Sequence, residues 1–332
     1  MDTYQRKHIT LDRFIVQRQR NQPGASGELT RVLVQLSTVA KIISNYVRRS
    51  SLEDLKGSTG KTNVQGEKVK KLDKLSNDVF IEAFDYVGIV GALASEEMKE
   101  PKILHSDKDL EKYVVLIDPI DGSSNLEVDC VTGSIFSVRK LDDMHEKSFL
   151  QEGTKQIAAG YIMYGTSVRL VYSAGNGVHN FVLDEEIGEF LLDREEMHMP
   201  NRGKIMSANF GNRNRWTHPP KAFSDALMND EGYSYSLRYS GALVADLHQI
   251  LHHGGIYFYP EDDDRPNGKL RLLYECAPLS MIAEQAGGSA TTGKLRVMGI
   301  SPKEIHQRIP FAVGSPYEIE KYKKAYREQK YF

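Results

Sequence analysis

The sequence predicts a layered α/β (α+β) fold in two domains, residues 1–198 and 199–332, and three observations carry the prediction. Short apolar runs dominate from Gly88 onward, helices and strands alternate beyond Lys204, and a polar stretch with Pro200 and Gly203 separates the halves. A chain of 332 residues with 40% hydrophobic and 27% charged residues is long enough for two substantial cores.

The elements follow in order. Asn21–Glu28 is a polar, glycine-containing opening, and a helix is expected over 29–48. There Leu29, Val32, Leu33, Leu36, Ala40, Ile43 and Val47 recur at three- and four-residue spacing, which buries one face. Lys56–Gly66 has almost no apolar content and reads as a long loop, a candidate lid. A second helix over 74–86 is expected to turn Leu75, Val79, Ala83 and Phe84 inward. Strands are expected over 89–94, from Tyr113, and over 134–140, 157–164 and 168–174. Gly175-Asn176-Gly177 marks a hairpin, because its tight turn requires positive φ. Beyond the break come a strand near Ile205, helices over 220–228 and 241–252, a strand over 256–259, and helices over 276–286 and 318–327.

Composition excludes several classes. A net charge of −2 leaves no nucleic-acid footprint. No apolar run approaches the ~20 residues that span a bilayer, and the first residues lack a signal-peptide core, so no membrane association is expected. Cys130 and Cys276 are the only cysteines, too few for a disulfide framework or zinc cluster. A reducing, cytoplasmic location is expected.

The chemistry concentrates in Tyr113–Asn125, an apolar run rich in Val and Ile that delivers Asp118 and Asp121 and then a small polar turn. A buried strand with that ending presents metal ligands and a phosphate cradle. Asp-x-x-Asp lets the chain turn once, so both carboxylates and the Ile120 carbonyl can converge on small hard cations. Gly122 permits close backbone approach, and the amides of Ser123, Ser124 and Asn125 can point at a phosphate. Glu96 and Glu97 end another apolar run. Alone, the first motif fits ordinary turn chemistry as well as a site, and the second is more often a solvated surface pair. Together after two strands they point to a metal-dependent phosphatase.

The chain resembles the class I fructose-1,6-bisphosphatases, within the lithium-sensitive, magnesium-dependent sugar phosphatase superfamily. The resemblance runs from Ile9 to the last helix. It rests on Gly27-Glu28-Leu29-Thr30, Val69-Lys70-Lys71-Leu72-Asp73, Ser95-Glu96-Glu97, Lys112-Tyr113, Asp118 to Asn125, Arg238-Tyr239, and Gly268 to Cys276. It implies a sugar phosphatase fold that hydrolyses the 1-phosphate of fructose 1,6-bisphosphate for gluconeogenesis. Glu96, Glu97, Asp118, Asp121, Glu275 and the Ile120 carbonyl are implied as ligands of two or more Mg2+ ions, with Mn2+ or Zn2+ as alternatives. Asp73, Glu97 and Glu67 are implied in water activation.

For substrate, the resemblance implies Asp121 to Asn125, Asn209, Tyr239, Tyr259, Lys269 and Arg271, with Arg238 reaching into a neighbouring subunit's site. It implies a homotetramer built from dimers. It also implies an inhibitory AMP site at Ser26, Gly27, Glu28, Leu29, Thr30, Lys112, Tyr113 and Arg139. Three positions depart from the family pattern: Asn212 stands near a usual Tyr, and Glu67 and Glu127 replace usual Asp residues. The competing readings are a sedoheptulose-1,7-bisphosphatase and, from another class, a non-catalytic metabolite sensor. The sensor has no reason to retain a costly anionic cluster.

Overall fold

In the computed structural model, which describes residues 8–20, 27–62, 68–104, 112–142 and 145–328, the chain opens with helices α1 (Leu11–Arg20) and α2 (Glu28–Arg49). Helix α2 forms as its spacing predicts, with Val32, Leu33, Leu36, Ala40 and Ile43 buried. Helix α1 has no counterpart among the expected elements. Only Leu11, Phe14 and Ile15 are buried in it, and tertiary contacts hold it: Phe14 packs edge-on against His179 and Phe181.

The expected loop at 56–66 is partly ordered as a ladder. Strand β1 (Ser58–Thr62) pairs antiparallel with β2 (Lys68–Lys70), and residues 63–67 lie outside the described residues. Backbone pairing needs no apolar side chains, so the ladder leaves no hydrophobic trace in the sequence. Helix α3 (Lys71–Val87) starts earlier than expected because Asp73 closes its first turn, its Oδ2 accepting from the Lys70 N–H at 3.3 Å. Its inward stripe is also rotated from the expected one. Leu72, Ser76, Phe80 and Phe84 are buried, while Leu75, Val79 and Ala83 are half-buried beside them.

Strands β3 (Val90–Ser95), β4 (Lys102–Ile103), β5 (Tyr113–Asp121) and β6 (Thr132–Lys140) precede the short helix α4 (His145–Phe149). Then come β7 (Gln156–Tyr164), β8 (Val168–Ser173), β9 (His179–Asp184) and β10 (Glu189–Arg194). They form one sheet in the order β10-β9-β8-β7-β6-β5-β3-β4, with β3 and β5 parallel. At the β8–β9 turn, Gly175 (φ 89) and Gly177 (φ 85) supply the positive φ. Helices α2 and α3 cover one face of this sheet.

The second half contributes β11 (Ile205–Ser207), α5 (His218–Met228), β12 (Ser236–Leu237), α6 (Leu243–His253), β13 (Gly255–Tyr259), β14 (Leu270–Arg271) and α7 (Ala277–Gln285). It ends with β15 (Ser289–Thr291), β16 (Arg308–Ile309), β17 (Phe311–Gly314) and α8 (Pro316–Glu328). A second sheet has the order β12-β11-β13-β17-β15. Helices α6 and α7 lie between the sheets, so that Leu247 and Ile282 share a core with Ile135 and Val171 on one side and Tyr257 and Val313 on the other. Helices α5 and α8 close the far face through Phe223 and Tyr322 against Phe258. The result is a mixed α/β two-domain fold with alternating helix and sheet layers. No helix among the described residues is long and apolar enough to cross a membrane.

Candidate active site

The parallel pairing of β3 with β5 sets Ser95 opposite Ile117, and the Glu96 N–H donates to the Ile117 carbonyl at 3.0 Å. That register brings Glu96 beside Asp118. Glu275 arrives from the other half of the chain on a π-helical turn, Leu272–Cys276, ahead of α7, where its Oε2 accepts from the Arg271 N–H at 2.6 Å. One oxygen each from Glu96, Asp118 and Glu275 lies within 4.8 Å of the others. Burial, reinforced by the Glu96 charge, holds the Asp118 carboxyl well above its usual range and pushes Glu275 to about 8. Carboxylates this close repel unless cations lie among them, and an all-oxygen donor set suits Mg2+ or Mn2+ better than Zn2+. The residues therefore fit a divalent metal centre.

Asp121 is anchored differently. Its Oδ2 accepts from the Val244 N–H at 2.8 Å in the first turn of α6, where free amides favour an anion. Burial still raises it to about 6. Next, Gly122 (φ 72) turns the chain into a 3-10 turn, Ser123–Val128.

These groups open on a cleft of about 250 Å³. Asp73, Glu97, Ile120, Gly122, Ser123 and Ser124 line it beside the acidic cluster, and Tyr239, Tyr259, Lys269 and Arg271 line it from the second half. Lys269 Nζ stands 5.6 Å from the Tyr259 ring centre. Arg271 ion-pairs with Glu96. Asp73 is buried, its Oδ1 has no hydrogen-bond partner among the described residues, and burial raises its carboxyl to about 7. A carboxyl so placed can take a proton near neutrality.

The family model for the fructose-1,6-bisphosphatase N-terminal domain matches residues 9–195, and that for the C-terminal domain matches residues 199–327. The chain belongs to the class 1 fructose-1,6-bisphosphatases. It is 46% identical over 315 residues to the class 1 enzyme of Sulfurihydrogenibium sp. (strain YO3AOP1), covering 95% of this chain and 97% of that one. The relative from Persephonella marina (strain DSM 14350 / EX-H1) matches to the same extent. The crystal structure of Leishmania major fructose-1,6-bisphosphatase in holo form superposes with a TM-score of 0.90 at 35% identity, covering 96% of this chain and 98% of that one.

Not every residue implied by the fructose-1,6-bisphosphatase resemblance reaches the cleft. The Asn125 N–H is spent inside its own turn on the Gly122 carbonyl at 2.8 Å, and its side chain donates to Val131 and Ser240 carbonyls. Asn125 thus pins the turn and offers no amide to a phosphate. Asn209 caps the 3-10 turn Phe210–Arg215, with Oδ1 accepting from the Gly211 N–H at 3.2 Å. Asn212 donates to the Tyr259 hydroxyl at 3.2 Å. Arg238 is exposed and does not line the cleft. Glu67 and Ser26 lie outside the described residues.

A second group lies where α2 begins, at the far end of β5. Gly27 (φ 84) starts α2, Glu28 ion-pairs with Lys112, the Thr30 hydroxyl donates to Gln19 at 2.8 Å, and half-buried Leu29 packs onto the core. Burial and Glu28 raise the Tyr113 hydroxyl. Arg139 does not join them. The β5–β6 register sets Tyr113 opposite Lys140 and Val114 opposite Arg139, so Arg139 projects from the other face. There it is fully buried and donates to the Phe149 and Gln151 carbonyls. The exposed cation on Tyr113's face is Lys140.

Sequence reasoning also missed Asp246. It is buried in α6, accepts from the Ser240 N–H at 3.0 Å and is raised by burial to about 7, holding the segment that carries Tyr239 and Gly241. Its partner lies before the helix and its neighbour Asp121 in the other half, so no local pattern marks it.

Proposed function

We propose that the chain hydrolyses the 1-phosphate of D-fructose 1,6-bisphosphate to D-fructose 6-phosphate and phosphate, using a metal-activated water. The observation that carries this reading is the meeting, in one cleft, of the acidic cluster with Lys269 and Tyr259 on the facing wall. A cation set apart from a metal centre is what a doubly phosphorylated sugar demands and a monophosphate does not.

Glu96, Glu97, Asp118, Asp121, Glu275 and the Ile120 carbonyl would hold two or more divalent cations. When bound, such ions supply an acidified water and neutralise charge at the departing oxygen. Asp73 accepts the proton of the attacking water, with Glu97 as the second base and Glu67 as a third. Gly122, Ser123 and Ser124 orient the reacting phosphoryl group. Lys269, Tyr239 and Tyr259 hold the distal phosphate and the sugar, and Arg238, exposed in one subunit, serves the next in a homotetramer. Glu28, Thr30, Lys112 and Tyr113, with Lys140 in place of Arg139, support an AMP site that inhibits by favouring a less active quaternary state.

The Asn212 contact to Tyr259, near a position where the family pattern has Tyr, favours one second reading: a broader bisphosphatase that also takes sedoheptulose 1,7-bisphosphate. Phosphate release from both sugars under Mg2+ titration decides between them. Fructose 1,6-bisphosphate is expected to give the higher kcat/KM, and a clear preference for the seven-carbon sugar overturns the main reading. AMP titration tests regulation, which fails if activity is unchanged throughout.

A further inference from the structure

Helix α6 anchors Asp121 at its first turn and carries a group of imidazoles towards its last. His248 and His252 stand one turn apart on one face, the spacing at which two imidazoles can share a cation, and their ring centres are 4.8 Å apart. A metal at ~2.0–2.1 Å from one nitrogen of each ring would set those centres about 5 Å apart. His248 Nδ1 lies 2.8 Å from the Tyr161 hydroxyl on β7. That hydroxyl can accept from Nδ1–H, which leaves the Nε2 lone pair for a metal and fixes the ring, as outer partners of metal-bound histidines do. Among the described residues, the His248 side chain makes no other hydrogen bond and the His252 side chain makes none. Neither ring holds an unpartnered nitrogen sealed from solvent.

We propose that His248 and His252 form a second metal site, apart from the acidic cluster, which takes a borderline transition-metal cation such as Zn2+ on its two imidazoles, with water completing the coordination. Mg2+ prefers oxygen ligands, so the two sites select different metals. Two features favour binding. Burial first, then the neighbouring His252, depresses His248 to about 3, and burial with Arg194 holds His252 below its usual value. Both rings are therefore neutral at pH 7, and a metal has no proton to displace. The pair also lies towards the C-terminal end of α6, where the helix dipole favours a cation. The charged and titratable groups facing the pair are Arg169, Asp193, Arg194 and the exposed His253. Asp193 pairs with Arg169 at 2.6 Å, which offsets one arginine and leaves Arg194 opposed to the metal. The two imidazoles must therefore carry the affinity.

Calorimetric titration of Zn2+ into the full chain, with electron paramagnetic resonance of bound Cu2+, tests this on wild type, His252→Ala and His253→Ala. Wild type is expected to bind one Zn2+ per chain that His252→Ala holds at least about tenfold more weakly, since losing a ligand should cost no less than losing an outer partner. His253→Ala should bind as wild type does, because adjacent residues on a helix do not face one cation. Cu2+ at the pair should show hyperfine splitting from two imidazole nitrogens, reduced in His252→Ala; the acidic cluster offers only oxygen and contributes none of it. His252→Gln, which keeps a polar side chain, serves if the Ala variant does not fold. Equal Zn2+ stoichiometry and Kd in wild type and the folded His252 variant overturns the proposal. So does nitrogen splitting that is absent from wild type or unchanged in that variant, and so does an equal loss of Zn2+ binding in His253→Ala.

Discussion

Gly122 and Ala242 approach so closely that a Cβ on Gly122 would stand 2.6 Å from the Ala242 Cβ and 2.9 Å from its Cα. The contact locks the turn after Asp121 against the start of α6, whose Val244 N–H donates to Asp121. Two penalties meet at this position, because the φ of 72° also disfavours any side chain. Gly122→Ala should cost about 2–4 kcal/mol of stability. It should also weaken inorganic phosphate binding. Denaturant unfolding and phosphate titration check both, and a variant within about 0.5 kcal/mol of wild type contradicts the packing argument.

Lys70 ties the β1–β2 ladder to the phosphate turn. Its ammonium donates to the Ser123 carbonyl at 3.0 Å and pairs with Glu127 at 3.0 Å, while its own N–H donates to Asp73. The Glu127 carboxylate is largely exposed, so this pair should contribute little to stability, on the order of 1 kcal/mol or less. Its effect is expected in positioning Asp73 and Ser123. Lys70→Met should reduce kcat/KM about tenfold with little change in Tm. Glu127→Gln, which keeps a hydrogen-bond acceptor, should reduce it less. Equal kinetics in all three proteins would remove the positioning role.

Arg139 and Lys140 allow a role in stability to be tested apart from the proposed AMP site. Arg139 is buried against main-chain carbonyls and its guanidinium is pushed down to about 10 by burial, whereas Lys140 is exposed opposite Tyr113. Arg139→Met leaves the Phe149 and Gln151 carbonyls without their donor and should cost about 2–3 kcal/mol. Lys140→Met should leave stability within about 0.5 kcal/mol and raise the AMP concentration for half-inhibition. Unfolding curves and AMP titrations on both variants test the assignment. The reverse pattern would return Arg139 to the AMP site.

This adjacent pair also shows what the sequence could disclose. Asp118 and Asp121 were legible because their signal is local: an apolar strand ends, and two acids and a glycine follow. Glu275 entered only through resemblance, since its meeting with Glu96 depends on a π-helical turn in the other domain. Arg139 lies off Tyr113's face because strand faces alternate residue by residue, and only the register with β5 tells which of two neighbouring cations faces Tyr113. The β1–β2 ladder resembles a loop in sequence because its strands pair by backbone. In α3 Phe84 is buried as expected, while Leu75, Val79 and Ala83 are half-buried at the flank of a stripe that Leu72 and Phe80 complete. Asp246 had no local mark, because burial alone makes it unusual.

His179 ties acid sensitivity to the seat of α1. It is 4% exposed, packs edge-on against Phe14 and Tyr172, and accepts the Glu196 N–H on Nδ1 at 3.3 Å. Burial first, then the charge of Arg18, depresses its pKa to about 4. The unfolded chain therefore binds this proton more readily than the folded one. The sign follows: His179 costs nothing above its unfolded pKa of about 6.5, and stability is lost as pH falls from there towards the folded value. Between about pH 7.5 and about pH 5 the loss should reach about 2 kcal/mol. His179→Phe removes the titration, while its cost for the lost Glu196 acceptor is the same at both pH values. The stability of His179→Phe relative to wild type should therefore improve by about 2 kcal/mol on acidification. Urea unfolding of both proteins at the two pH values measures it, and a pH-independent difference would show that His179 does not carry the acid sensitivity.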